Sequence, residues 1–95
     1  MSRLTPSVSQ AFESITVSTT AVSLTAATVA ARSAALITVE SAAVRFRLDG
    51  TAPTATVGHV LLPDDGLELE GGELSKAQFI SRDGSTATLR ASYGN

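Results

Sequence analysis

From residue 35 onward, several runs of the chain alternate between apolar and polar side chains, so that every second residue of a run is suited to burial. The clearest run is Val44 to Asp49, where three apolar residues alternate with two arginines and an aspartate. Ala87 to Tyr93 repeats the pattern near the end of the chain. Successive side chains of a β-strand point to opposite faces, whereas a helix would need apolar residues every three or four positions. The alternation therefore predicts half-buried strands.

Glycine-containing turns separate these runs at short, regular intervals. The turn signals are Asp49-Gly50, Asp64-Asp65-Gly66, Gly71-Gly72 and Asp83-Gly84, and Gly71-Gly72 specifically predicts a β-hairpin. Strands of this length and spacing are typical of small antiparallel sandwiches and barrels. We predict an all-β protein: a single small antiparallel β-sandwich or jelly-roll-like barrel of seven to eight short strands.

The pattern is weaker before residue 35. Strands are predicted at 12–18, where Ile15 and Val17 share a face, and at 21–25. Residues 26–35 are rich in alanine but lack a helical apolar stripe, so they are read as a loop or a single helical turn. Residues 1–10 are polar and contain Pro6, which predicts a flexible N-terminal arm preceding a domain at 11–95.

The composition implies a thin core. The chain has 15 alanines but only four aromatic residues, so each large side chain must bury a disproportionate share of apolar area. Phe46 is expected at the centre of this core. Such a core also favours self-association, because a subunit interface adds burial that a small domain lacks.

Charge and residue types argue against several functional classes. The net charge is −2 and the basic residues are scattered, which does not favour nucleic-acid binding. Cysteine is absent and His59 is the only histidine, which makes a poor zinc site, and no catalytic or phosphate-binding motif occurs. We expect His59 to be packed or hydrogen-bonded near a strand end. The sequence predicts no enzyme, no cofactor, no metal and no membrane span.

Two pairs of like charges are candidate interface residues. Arg45 and Arg47 alternate on one predicted strand, and Glu68 and Glu70 on another. Alternation places the two members of a pair on the same face. We therefore expect at least one pair to lie at an intersubunit or partner contact.

Four stretches resemble small proteins from the structural-gene modules of tailed bacteriophages and prophages. The stretches are Ala35 to His59, containing Arg-Phe-Arg-Leu-Asp-Gly-Thr-Ala-Pro-Thr; Leu67-Glu-Leu-Glu-Gly; Phe79-Ile; and Thr86-Ala-Thr-Leu-Arg-Ala-Ser-Tyr. The resemblance implies a virion protein made in the host bacterial cytoplasm. Small β proteins of this kind often serve as capsid decoration (cement) proteins, whose partner is the major capsid protein. A homo-oligomer is expected, with a trimer suggested by the three-fold positions of an icosahedral shell.

Two alternatives remain open at this stage. One is a neck or tail component of the virion. The other is a carbohydrate- or host-surface-binding β module, for which Tyr93 is the one aromatic candidate to stack on a sugar ring.

Overall fold

The structure, a computed structural model, describes residues 11–30 and 32–94. Within these residues the chain forms strands and two very short helices. The strands are β1 (Ala11–Val17), β2 (Val22–Ser23), β3 (Ala34–Glu40), β4 (Val44–Arg47), β5 (His59–Leu61), β6 (Gly66–Glu70), β7 (Gln78–Ser81) and β8 (Ala87–Gly94), and the helices are α1 (Ala26–Val29) and α2 (Glu73–Lys76).

The strands form two antiparallel four-stranded sheets. Sheet A has the order β1-β8-β3-β6 and sheet B the order β2-β7-β4-β5. The pairings are nested: the first strand pairs with the eighth, the second with the seventh, the third with the sixth and the fourth with the fifth. A long hairpin rolled up in this way gives a jelly-roll sandwich. The all-β prediction is confirmed, with two open sheets rather than a closed barrel.

Alternation along the strands places the predicted apolar faces inside. In β8 every second residue from Ala87 to Tyr93 is fully buried, and Ile37 and Val39 on the neighbouring β3 are buried beside them. Sheet B contributes Val44 and Phe79 from the opposite side. The core lies between the sheets and combines large aliphatic and aromatic side chains with alanines and valines.

Phe46 lies at the rim of this core rather than at its centre. Its ring packs at 6.1 Å, centroid to centroid, from that of Phe79 and at 5.4 Å from that of His59. Phe79 and Tyr93 are the fully buried aromatic residues. Phe46 keeps 8% exposure, and its strand β4 is the neighbour of the edge strand β5.

The prediction of a hairpin at Gly71-Gly72 is wrong. The strand before it, β6, belongs to sheet A and the strand after it, β7, to sheet B, so the connection crosses between the sheets. Gly71 has a positive φ of 56° and its N–H donates to the carbonyl of Ser33 at 2.8 Å. The chain then enters α2, whose Leu74 is buried. Gly71-Gly72 locally favours a tight turn. The hydrogen bond from Gly71 to Ser33 and the burial of Leu74 instead lead the chain toward the other sheet.

Before residue 35, the structure agrees with the weaker pattern of the sequence. Residues 26–35 contain one helical turn, α1, before β3 begins at Ala34. In β1, Ile15 and Val17 share the inward face as expected. The N-terminal arm predicted at residues 1–10 lies outside the described residues.

The connections gather at two opposite ends of the sandwich. The ends of the described chain, Ala11 and Gly94, lie at one end together with α1, α2 and the β4–β5 connection. We call this the terminal end. The turns at 18–21, 41–43, 62–65 and 82–86 lie at the opposite end, which we call the turn end.

Candidate functional site

The four charged residues singled out in the sequence lie on two faces that point away from each other. Arg45 and Arg47 project from the outer face of β4 in sheet B. Glu68 and Glu70 project from the outer face of β6, the edge strand of sheet A. Each pair shares a face, but the structure does not bring the two pairs together.

Arg45 holds a loop against the sheet. Its Nε donates to the carbonyl of Ala55 and its Nη1 to the carbonyl of Gly58, both at 2.8 Å. Gly58 has a φ of 138°, and a Cβ there would lie 3.1 Å from the carbonyl oxygen of Phe46 and 3.2 Å from the Cβ of Pro53. Only glycine permits this close approach. The guanidinium is therefore committed to the fold of its own chain.

Arg47 fixes the beginning of the same loop through Asp49. Its guanidinium binds both carboxylate oxygens of Asp49, and one of these also accepts the N–H of Thr51 at 3.1 Å. The hydrogen bond from Arg47, with a smaller contribution from Thr51, lowers the pKa of Asp49 to about 2. The Asp49 side chain raises the pKa of Arg47 in turn. Gln78 Nε2 adds a hydrogen bond of 3.1 Å to the carbonyl of Gly50.

The segment from Asp49 to Gly58, here called the Asp49–Gly58 loop, is consequently tied down at both ends. Its tip closes on itself, because the Thr54 N–H donates to the carbonyl of Val57 at 2.9 Å and the Val57 N–H donates to Thr54 Oγ1 at 3.0 Å. Apart from Asp49, every residue in the loop is uncharged, and most are exposed threonines and alanines. The loop is a pre-ordered, neutral projection at the terminal end.

Exposed apolar side chains continue from this loop along β5. Val57 is 51% exposed, Val60 39% and Leu62 47%. Of the apolar run from Val57 to Leu62, His59–Leu61 pair as a strand, because Gly58 belongs to the loop and Leu62 to the next turn. Gly58 precedes this strand and Pro63 follows Leu62, and their close spacing is the sequence signal for a short strand whose neighbouring apolar side chains stay exposed. We call Val57, Val60 and Leu62 the β5 patch.

His59 lies between the loop and the core. Its exposed ring packs on Phe46, and together with Arg47, Leu48 and Val57 it lines an open groove of about 640 Å³. The expectation of a packed histidine near a strand end agrees with this contact. The groove is shallow and open, so it fits a protruding side chain of another protein better than a small molecule.

Phe12 is the most exposed aromatic residue of the described chain. It is 62% exposed on the outer face of β1, in the same row of sheet A as Ser92, Leu36 and Glu68. Leu36 is 37% exposed. The signal was present in the sequence, since Phe12 alternates in phase with Ser14 and Thr16 rather than with the buried Ile15 and Val17.

Tyr93 does not serve as a stacking surface for sugars. It is fully buried and its hydroxyl donates to the carboxylate of Glu13, which also accepts the hydroxyl and, at 3.4 Å, the N–H of Thr25. Burial, followed by the hydrogen bond to Glu13, raises the pKa of Tyr93 well above its ordinary value. These contacts join β1, β8 and the start of α1 at the terminal end.

The remaining polar groups show ordinary structural contacts. Within residues 11–30 and 32–94, no group of three or more His, Cys, Asp or Glu side chains is placed to hold a metal ion. At the turn end, Asp65 accepts the N–H of Leu62 at 3.1 Å, and the N–H of Asp64 donates to the carbonyl of Val39 at 2.8 Å. In the same part of the chain, no helix is long and apolar enough to span a membrane.

The geometry thus presents surfaces for contact: a neutral ordered loop, the β5 patch beside it and Phe12 on the other sheet. No family model matches the chain, and no curated protein or solved structure is significantly similar to it.

Proposed function

We propose that the protein is a virion structural component of a tailed phage, specifically a capsid decoration protein that binds the outer surface of the head and stabilises it. The Asp49–Gly58 loop is the observation that carries this proposal. Its first six residues, Asp49 to Thr54, belong to the stretch Arg45–Thr54 on which the resemblance to phage structural proteins depends most. A neutral loop ordered in advance loses little conformational entropy on binding, which favours attachment to a protein surface.

The fold is compatible with this function but does not imply it. Jelly rolls build viral capsid domains, lectins and cupins, so fold alone is an argument by analogy. The second support is the distribution of apolar exposure. Modest apolar contacts, repeated over many copies on a lattice, give strong attachment without any single deep site.

A matched pair of threonine variants tests the loop. Thr56 lies in the loop and Thr86 before β8 on the turn end, and both are exposed. Thr56→Glu places a charge on the proposed contact, whereas Thr86→Glu places the same charge away from it. Wild-type protein and each variant would be added to purified heads that lack the protein, and occupancy would be measured on gels of the recovered particles.

We expect Thr56→Glu to weaken binding at least about tenfold, which corresponds to roughly 1.4 kcal/mol and lowers occupancy at subsaturating protein, while Thr86→Glu binds like wild type. Decorated heads should also resist heating better than bare ones. An equal loss of binding to heads in both variants, or no loss in either, would contradict attachment through the loop. No binding of the wild-type protein to heads would contradict decoration itself.

A neck or tail position is the second candidate, since the resemblance marks a phage structural protein more clearly than its place in the particle. Copy number separates the two. A number of copies in proportion to the major capsid protein supports decoration, whereas a number fitting a single ring supports a neck or tail component. A carbohydrate-binding module loses its aromatic candidate, because Tyr93 is buried.

A further inference from the structure

Strand β5 differs from the other strands at the sheet edges. Within the described residues, sheet A is bounded by β1, which carries Glu13, and by β6, which carries Glu68 and Glu70. Sheet B is bounded by β2, only two residues long, and by β5. Charged residues and very short strands are the usual means by which proteins prevent edge-to-edge pairing.

The sequence around β5 has no charged residue from Val57 to Pro63. The residues His59–Leu61 pair with β4 on one side and with no described strand on the other. The β5 patch exposes three apolar side chains along this edge. An uncharged, apolar edge beside three protected ones is suited to pairing with another strand.

We propose that β5 pairs with β5 of a second copy, antiparallel and about a two-fold axis at Val60, to give a dimer with a continuous eight-stranded sheet. A two-fold interface uses the same patch on both copies, so it must be self-complementary. The β5 patch meets this requirement, because Val60 lies opposite Val60 of the second copy. Leu62 then lies beside the second copy's Gly58 and Val57.

The charges at the two ends of β5 also match under this symmetry. Asp64 and Asp65 follow the strand at the turn end, and Arg45, whose backbone lies opposite Val60, extends its guanidinium to the loop carbonyls at the terminal end. Antiparallel pairing brings the acidic end of one copy beside the basic end of the other, twice per dimer. A two-fold pairing of β6 with β6 would instead place the glutamates of the two copies next to each other, which is unfavourable.

The expected dimer is weak. A three-residue strand with its flanking side chains buries less than the roughly 800 Å² per partner of a standard stable interface, so association should depend on concentration. The pairing gives two-fold symmetry, whereas the geometry of an icosahedral shell suggested a trimer. It does not depend on the virion function proposed above.

Lysine substitutions at two equally exposed apolar residues test the surface. Val60 is 39% exposed on β5 and Leu36 is 37% exposed on the outer face of sheet A. In Val60→Lys two like charges would lie opposite each other, so we expect association to weaken by at least about tenfold. Leu36→Lys should associate like wild type. Sedimentation equilibrium over a range of concentrations measures both, and circular dichroism checks that each variant is folded.

Cysteine cross-linking tests the register, since the natural chain contains no cysteine. Directly opposite residues of an antiparallel pair have Cα atoms about 4.5–5.5 Å apart, which a disulfide can span. Under mild oxidation Val60→Cys should form a covalent dimer much faster than Leu36→Cys. A monomeric or trimeric wild type, an unchanged association of Val60→Lys, or equal cross-linking of the two cysteine variants would overturn the proposal.

Discussion

Arg45 and Arg47 look equivalent in the sequence but have different roles in the structure. Arg45 donates to two loop carbonyls, whereas Arg47 binds one exposed carboxylate next to it in the chain. Hydrogen bonds from a charged donor to backbone carbonyls are among the stronger ones, while exposed ion pairs contribute little. Alternation predicts which side of a strand a residue occupies, but not what approaches that side from a distant loop.

We predict that Arg45→Ala lowers the free energy of unfolding by about 1–2 kcal/mol and frees the loop. Arg47→Ala is the matched control and should shift the unfolding midpoint only slightly. Urea denaturation measures stability, and amide hydrogen exchange at 54–58 reports on the loop. Equal effects of the two variants on these amides would contradict a special role for Arg45.

The carboxyl group of Asp49 should make the ordering of the loop depend on acidity. Its pKa falls from 3.8 to about 2 in the folded protein, chiefly through the hydrogen bond from Arg47. A lowered pKa stabilises the folded state above pH 3.8, and this contribution is lost as the pH falls toward 2. An NMR titration should therefore give a midpoint near 2 for Asp49, and Arg47→Ala should return it toward the ordinary value. A wild-type midpoint near 4 would contradict the contact.

Tyr93 should produce the opposite dependence at high pH. Because its pKa is raised in the folded protein, the neutral phenol is favoured there, and stability is lost as the pH rises above 10, where the unfolded tyrosine ionises. Tyr93→Phe should remove this loss, although it also deprives Glu13 of one of its donors and lowers stability at neutral pH. Unfolding curves between pH 8 and about 11 compare the two proteins. Parallel curves would show that Tyr93 is not the responsible group.

At the scale of strands and helices, the sequence predicts faces better than partners. The inward faces of β3, β6, β7 and β8 were predictable, since one side of each must avoid water. The partner strands were not, because Ala11 pairs with Tyr93 far along the chain and no local signal encodes that pairing. Gly71-Gly72 shows the same limit, since a glycine pair permits a hairpin and a crossing between sheets equally well. The exposure of Phe12 was predictable from its phase, while the loop held by Arg45 was not.

Phe46 on β4 and Phe79 on β7 lie opposite each other, and their different burial determines how much each contributes to stability. Phe79 is fully buried, while Phe46 is 8% exposed and packs on His59, which lines the open groove. We expect Phe79→Ala to lower stability by about 3–5 kcal/mol and Phe46→Ala to lie at or below the lower end of that range. Denaturant titrations of both variants give the comparison directly. A larger loss for Phe46→Ala would place it at the centre of the core after all.

For the molecule as a whole, nested pairing implies slow folding. Only β4 and β5 are neighbours both in the chain and in a sheet, and the outermost pair joins the two ends of the described chain. Proteins dominated by such distant pairings fold in milliseconds to seconds, because loop-closure entropy must be overcome first. Stopped-flow refolding should fall in this range, with β4–β5 formed earliest by mutational analysis of the folding rate. Refolding in microseconds would contradict the slow folding expected from these distant pairings.

The position of the chain ends bears on how the protein can be engineered. Ala11 and Gly94 lie at the same end of the sandwich as the Asp49–Gly58 loop, whereas the exposed Asp83–Gly84 turn lies at the turn end. A fluorescent protein or affinity tag fused directly before Ala11 or after Gly94 would project from the end that carries the loop. A peptide inserted between Asp83 and Gly84 would instead project from the far side. For display on a particle surface, that turn is the insertion point that leaves the loop accessible.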